Sequence, residues 1–179
     1  MKQIFRTIII LAAVSFAACK GNNTPVKPDP IVTELNHGLL LFYGAYYEGL
    51  PRNVVALDLY SSELNFDDNG YIRGTGTNLY ISDIFLPLTD SIPADGTYRC
   101  DTTAEVNTFL PGMDFEGSPT GTYLLQIKED AIAQLILFND SSFTLTEKDG
   151  ITDIQFNLQA KGKTYAVHFN GYLKYENRR

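Results

Sequence analysis

Beyond residue 34 the hydrophobic pattern is that of a β protein. Short apolar runs alternate with turn-forming clusters, and no stretch keeps a helical period with capping residues at both ends. The segment at 131–138, AIAQLILF, is apolar on both faces, and we predict a strand because turn residues follow it. The pattern predicts ten strands: Leu39–Tyr47, Asn53–Ser61, Glu63–Phe66, Asn78–Leu88, Thr97–Cys100, Thr122–Lys128, Ile132–Phe138, Ser142–Lys148, Ile151–Ala160 and Thr164–Tyr175.

The C-terminal third also predicts how its strands pair. Asp149–Gly150 is a favoured two-residue hairpin turn, and further turns are expected at Lys161–Gly162 and Asp140–Ser141. Centring hairpins on these turns keeps apolar residues opposite apolar residues, whereas a shift by one residue would split them between the two faces. The predicted pairs include Leu145–Ile154, Phe143–Phe156, Leu158–Tyr165 and Phe138–Phe143. We therefore expect a C-terminal four-stranded meander with one buried face.

A single sheet with one apolar face needs a second layer to cover it. The strands between residues 39 and 128 must supply that layer. We therefore predict an all-β domain with an antiparallel two-sheet β-sandwich, and a closed, lipocalin-like β-barrel is the alternative. In the strand Asn78–Leu88 the alternation changes phase, which predicts a β-bulge at Ser82–Asp83.

The first residues read as an export signal. Lys2 and Arg6 precede an apolar run that is too short to span a membrane, and two alanines lead into Cys19. This arrangement resembles the lipobox of bacterial lipoproteins, which implies that Cys19 is the lipid attachment site. The predicted organisation is a signal peptide at 1–18, a lipidated cysteine and proline-rich tether at 19–33, and one β domain at 34–179.

Three short segments carry a second resemblance: IPADGTY at 92–98, GKTY at 162–165 and FNGYL at 169–173. They are similar to pieces of small β-rich lipoproteins of Bacteroidetes-type bacteria. The resemblance implies a β-sandwich or barrel in the cell envelope, anchored to the outer membrane, and it carries over no functional residues. The acidic run that follows the cysteine in surface-exported members is absent after Cys19, which favours the periplasmic side over the cell surface.

Charge excludes some partners. The formal net charge is -7, and removal of the leader with Lys2 and Arg6 makes it more negative. This balance argues against nucleic-acid binding and against electrostatic docking on anionic lipid. The second cysteine, Cys100, has no intramolecular partner if Cys19 is acylated, and we expect a free buried thiol.

Catalytic and metal-binding patterns are weak. The predicted register puts His168 opposite Gln155 on the polar face, with Ser142 too far away for a serine–histidine arrangement. Asp58 is expected to face solvent, and Asp67–Gly70 fits a plain turn better than a calcium loop. We predict no catalytic residues, no metal site and no cofactor. The acids that a glycosidase pair could use show no informative spacing: Glu48, Asp58, Glu63, Asp83, Glu105, Asp114 and Glu116.

Tyrosines supply the one candidate binding feature. Tyr43, Tyr46 and Tyr47 cluster within eight residues, and exposed tyrosines offer apolar area with a polar tip to sugars or partner proteins. The chain has no Trp, which weakens the sugar version. The expected function is a lipid-anchored, non-catalytic binding or assembly subunit, with a glycan or an envelope protein as partner. A glycan- or peptide-directed hydrolase and a lipocalin-like carrier of an apolar ligand are the alternatives.

Overall fold

The computed structural model describes residues 31–67 and 71–179. Within these ranges no helix is long and apolar enough to cross a membrane. The strands, in chain order, are β1 Ile31–Leu35, β2 His37–Gly44, β3 Asn53–Tyr60, β4 Leu64–Phe66, β5 Ile72–Gly74, β6 Gly76–Leu86, β7 Gly96–Cys100, β8 Thr108–Phe109, β9 Met113–Phe115, β10 Ser118–Thr120, β11 Thr122–Lys128, β12 Ala131–Leu137, β13 Asp140–Lys148, β14 Ile151–Ala160, β15 Lys163–Gly171 and β16 Leu173–Asn177. The leader, Cys19 and most of the predicted tether lie outside the described residues.

Two six-stranded sheets pack face to face. Sheet A has the order β1-β15-β14-β13-β7-β8, and sheet B has the order β12-β11-β6-β3-β2-β16. Each has two open edges, so the described strands form a sandwich and no closed barrel, as predicted. Most neighbours are antiparallel, but both sheets are mixed, because β1 with β15, β7 with β8 and β16 with β2 pair in parallel.

Two of the three predicted C-terminal hairpins are confirmed, those at Asp149–Gly150 and Lys161–Gly162. Leu145 faces Ile154 across β13 and β14, and Leu158 faces Tyr165 across β14 and β15. Asp149 and Gly150 have φ values of 55° and 81°. These left-handed angles at both central positions match the right-handed twist of the flanking strands, which is why an Asp-Gly pair marks the turn in the sequence.

The prediction that segment 131–138 is the fourth strand of the meander is wrong. Segment 131–138 does contain a strand, but β12 pairs with β11 in sheet B, and β13 has β7 as its other neighbour. The chain passes from one sheet to the other at Phe138, which is fully buried and opposes no residue of β13. The turn that joins β11 to β12 is Glu129–Asp130, with φ values of 52° and 65°. Neither residue is a glycine, so the hairpin signal was missing from the sequence.

The core is one continuous cluster between the sheets. It combines residues of sheet B such as Leu57 and Ile81 with residues of sheet A such as Ile154 and Phe169, all essentially inaccessible. At its sheet A side the Phe143 ring stacks on Tyr98, with centroids 4.7 Å apart. Side chains therefore fill the space between the two sheets.

Several strand boundaries differ from the predicted ones. The folded domain includes β1, so residues 31–33 belong to sheet A although the pattern placed them in the tether. The predicted strand Thr164–Tyr175 is two strands in different sheets, β15 and β16. The predicted bulge is confirmed: Ser82 and Asp83 together oppose the single residue Ala56 of β3.

Candidate functional site

The three predicted tyrosines meet in one depression on the outer face of sheet B. The depression has a volume of about 250 Å³ and lies where β2, β3 and β6 run side by side. Its lining consists of Tyr43, Tyr46, Tyr47, Val54, Tyr80, Ser82 and Asp83. No basic side chain belongs to this lining, among the residues that the structure describes.

The end of β2 positions two of the tyrosines. β2 stops at Gly44, whose φ of 68° turns the chain, and the Tyr46 amide donates to the Gly44 carbonyl at 2.8 Å. Tyr46 and Tyr47 therefore lie in a loop, whereas the pattern placed them in the strand Leu39–Tyr47. Tyr43 is the extra residue of a bulge, since Phe42 pairs with Val55 and Gly44 pairs with Val54. The loop folds the later rings back toward Tyr43.

The rings are arranged edge to face. The Tyr43 and Tyr46 centroids are 5.9 Å apart with planes inclined by 64°, and those of Tyr46 and Tyr47 are 5.1 Å apart at 87°. This geometry suits the quadrupoles of the rings. Tyr46 is 64 % exposed and Tyr47 37 % exposed. Much of the ring surface is therefore available to a ligand without any rearrangement.

A carboxylate forms the polar part of the depression. Asp83 sits in the β6 bulge with a φ of 54°, and it accepts hydrogen bonds from the Tyr47 hydroxyl at 2.8 Å and the Ser82 hydroxyl at 2.7 Å. Burial and then the bond to Asp83 raise the pKa of Tyr47, which keeps the phenol protonated. The bulge thus fixes the carboxylate, and the carboxylate fixes Tyr47.

Tyr80 extends the site across the sheet. Its ring stacks on Tyr123 at 5.3 Å, and burial and a hydrogen bond with Tyr43 raise its pKa. Beside it on β3, Asp58 is half-buried and accepts a hydrogen bond from the Asn78 amide at 2.5 Å, although the pattern placed Asp58 in solvent. Burial raises the pKa of the Asp58 carboxyl to about 6, and the bond from Asn78 opposes that shift.

Sequence reasoning did not connect the tyrosine cluster with the residues that β6 contributes, Tyr80, Ser82 and Asp83, although Asp83 was among the candidate acids. The bulge at Ser82–Asp83 was a usable signal, but one sequence does not reveal that β3 alone separates β2 from β6. Without that strand order, nothing connects the bulge carboxylate with a tyrosine some forty residues earlier.

His168 belongs to a different surface, the outer face of sheet A. Its Nδ1 lies 2.8 Å from Glu34 and its Nε2 lies 2.8 Å from Asp153, so each ring nitrogen already has a carboxylate. The bond to Asp153, followed by the interactions with Glu34, raises the pKa of His168. As predicted, His168 pairs with Gln155, while Ser142 is level with Asn157 on the neighbouring strand. The arrangement is a surface ion cluster, and Ser142 is not part of it.

The calcium-like turn is only partly described. Asp67 accepts hydrogen bonds from the Arg73 guanidinium at 2.9 Å and from the Tyr71 amide at 3.0 Å, and residues 68–70 lie outside the described part. Through these two hydrogen bonds Asp67 closes the β4–β5 hairpin. In the ranges that the structure covers, no group of three or more His, Cys, Asp and Glu side chains is placed to hold a metal ion.

Chemically, the tyrosine depression combines exposed ring faces, phenol hydroxyls and one anchored carboxylate. Such a surface can pack against a small apolar face and exchange hydrogen bonds at its margin. Its described lining residues offer acceptors and neutral donors but no cation for an anionic ligand. Comparisons of the chain with protein-family models, with curated proteins and with solved structures found no match.

Proposed function

We propose that this protein is a non-catalytic binding subunit of the bacterial cell envelope, anchored through acylated Cys19 on the periplasmic side of the outer membrane. The leader and the cysteine at its end support the anchor. Each buried acyl methylene contributes about 0.8 kcal/mol to membrane binding, so more than one chain gives stable attachment. The three prolines between residues 20 and 30 are typical of a tether, which supports the same proposal. We also propose that the chain is related to the small β-rich lipoproteins of Bacteroidetes-type bacteria, because its segments at 92–98, 162–165 and 169–173 are similar to pieces of those proteins.

The tyrosine depression is the proposed binding site, and a neutral glycan end is the proposed ligand. The observation that carries this is the cluster of three edge-to-face tyrosines around a carboxylate-anchored hydroxyl. A sugar ring has a C–H face that packs on an aromatic ring and hydroxyls that donate to a carboxylate. Asp83 accepts two hydrogen bonds and retains lone pairs for a ligand hydroxyl. The lining, as far as the structure describes it, includes no basic side chain, which favours neutral over anionic sugars.

A glycan array followed by calorimetric titration tests the site. We expect neutral oligosaccharides to bind the wild-type protein and Tyr46→Ala to weaken that binding about fivefold, because an aromatic contact of this kind is worth about 1 kcal/mol. Tyr172→Ala is the matched control, because Tyr172 is 72 % exposed and outside the depression. No binding by any neutral glycan, or equal losses in the two variants, contradicts the proposal. An envelope protein that binds through Tyr46 instead would assign the site to a protein partner.

The anchor has its own test. In cells fed a labelled fatty acid, the wild-type chain should carry label and sediment with membranes, and Cys19→Ala should lose both properties. Cys100→Ser is the control, because it removes the other cysteine and should leave label and sedimentation unchanged. A wild-type chain that is unlabelled and recovered in the soluble fraction refutes lipid anchoring.

A further inference from the structure

β1 is an edge strand of sheet A, and among the described strands β15 is its one neighbour. The two strands run in parallel, with Glu34 opposite His168 and Leu35 opposite Phe169. Leu35 is 2 % exposed and anchors one end of β1 in the core, whereas Glu34 is exposed. Short parallel edge strands open more readily than inner strands, because they have a single ladder and little buried apolar area. The docking of residues 31–34 therefore depends on side-chain contacts as well as on the backbone ladder.

His168 links β1 to the interior of the sheet. Its Nδ1 lies 2.8 Å from the Glu34 carboxylate on β1, and its Nε2 lies 2.8 Å from the Asp153 carboxylate on β14. A neutral imidazole has one N–H and one lone pair, whereas the imidazolium has two N–H donors. Only the protonated ring can therefore donate to both carboxylates and connect the two strands.

The two links are not equivalent. The Asp153 carboxylate also accepts a hydrogen bond from the Asn170 amide at 3.0 Å, and its side chain is 32 % exposed, against 67 % for Glu34. The better-fixed and less exposed acceptor holds the remaining proton of a neutral ring on Nε2. The Nδ1 lone pair then faces the Glu34 carboxylate. Loss of one proton from His168 thus breaks the link to β1 and leaves the link to β14.

Two carboxylates are the charged groups that face the imidazole, Glu34 from β1 and Asp153 from β14. The bond to Asp153, followed among the favourable interactions by those with Glu34, raises the pKa of His168 above its ordinary value of about 6.5, and partial burial opposes this rise. The link to β1 is therefore complete at mildly acidic pH and is lost as the pH rises through the folded pKa. The adjoining depression of about 300 Å³ is otherwise lined, in the part of the chain that the structure describes, by residues that do not titrate: Gln155, Phe156, Ala166 and Val167.

We propose that His168 is a pH-dependent switch for the docking of β1: the imidazolium ties the edge strand to sheet A, and the neutral ring lets residues 31–34 open locally while the rest of the sandwich stays folded. β1 begins where the described part of the chain begins, next to the predicted tether. Four released residues would extend that tether by roughly 13 Å. This consequence for reach rests on the proposed lipid anchor, and the switch itself does not.

Hydrogen exchange of the full-length protein in detergent, followed by mass spectrometry from pH 6 to pH 9 and corrected for intrinsic exchange rates, tests the switch. We expect the protection of the β1 peptide to fall about threefold over this range, as the loss of one surface ion pair predicts. The internal reference is β16, the other described strand that forms a parallel edge pair in its sheet with a long strand, since its sequence LKYEN contains no histidine. β1 should also be less protected than β14 at every pH, because it opens without global unfolding.

Two variants separate the switch from general effects of pH. Glu34→Gln removes the carboxylate from β1 and should abolish the pH-dependent fall in β1 protection. Glu147→Gln is the matched control, because Glu147 is an exposed glutamate on β13 of the same sheet, and this variant should keep the fall. The proposal is overturned if β1 protection relative to β16 is independent of pH, if β1 is as protected as β14, or if the fall persists in Glu34→Gln. None of these results depends on whether the protein is lipidated or binds a glycan.

Discussion

Removal of the Phe143 ring tests whether the buried aromatic side chains of sheet A pack as one cluster. Phe143 is 1 % exposed, and its ring lies 4.7 Å from Tyr98, 5.3 Å from Phe109 and 5.3 Å from Phe156. Phe→Ala substitutions in cores cost about 3–5 kcal/mol, and aromatic pairs contribute about 0.5–1.5 kcal/mol beyond burial. With three ring partners we expect Phe143→Ala to lower the free energy of unfolding by about 4 kcal/mol.

Equilibrium unfolding in guanidinium chloride, followed by tyrosine fluorescence and far-UV circular dichroism, measures this change. Phe115→Ala is the matched control: the same atoms are removed, but Phe115 in the β9–β10 ribbon is 66 % exposed and should cost less than about 0.5 kcal/mol. Two-state curves with an unchanged slope are required for the comparison. A cost below about 1.5 kcal/mol for Phe143→Ala, or equal costs at the two positions, would show that the rings do not pack as described.

Three further predictions concern titratable groups. The pKa of Asp58 is about 6 in the folded protein against 3.8 for an ordinary aspartate, so its contribution to stability falls as the pH rises between these values. In Asp58→Asn the side-chain oxygen can still accept the hydrogen bond from Asn78. Urea titrations at pH 7 should therefore show this variant to be more stable than the wild-type protein by about 1–3 kcal/mol. The hydrogen bond to Asp153 is the main cause that raises the pKa of His168 in the folded protein. The stability that His168 contributes is therefore fully present below pH 6.5 and is lost as the pH rises through the folded pKa. Unfolding curves across pH should show His168→Gln most destabilised at acidic pH and close to the wild-type protein at alkaline pH. Burial raises the pKa of the Cys100 thiol from 9.0 to about 11, which lowers the fraction of reactive thiolate at neutral pH about 100-fold. Mass spectrometry should therefore show that iodoacetamide labels Cys100 about 100-fold more slowly in the native protein than in urea.

Local chemistry predicted two hairpins and the bulge correctly, because their causes lie within a few residues. Asp149–Gly150 dictates its own turn geometry, and the change of phase at Ser82–Asp83 needs two residues on β6 opposite Ala56. The turn residues that follow segment 131–138 likewise identified it as a strand, although it is apolar on both faces. In each case the signal lay within the element or in the residues next to it.

Pairing between distant elements could not be predicted in the same way. β12 and β13 are adjacent in the chain, and an apolar strand gives no register that would distinguish β11 from β13 as its partner. The tyrosine site shows the same limit: Tyr43 and Tyr46 were found from their spacing, but Asp83 joins them only through the order of β2, β3 and β6. Asp58 is half-buried because neighbouring strands bring Tyr80 beside it, which its own alternation does not indicate.

The parallel pairs at the sandwich edges also constrain when the protein can fold. β1 is held by β15, so that Glu34 meets His168 across a separation of 134 residues, and β2 is held by β16. Contacts of such long range close slowly, and neither can form before the C-terminal strands have been synthesised. A nascent chain therefore leaves the ribosome with β1 unpaired and with β2 paired only to β3. If the chain is exported, this delay gives the translocation machinery time to engage it while it is still unfolded.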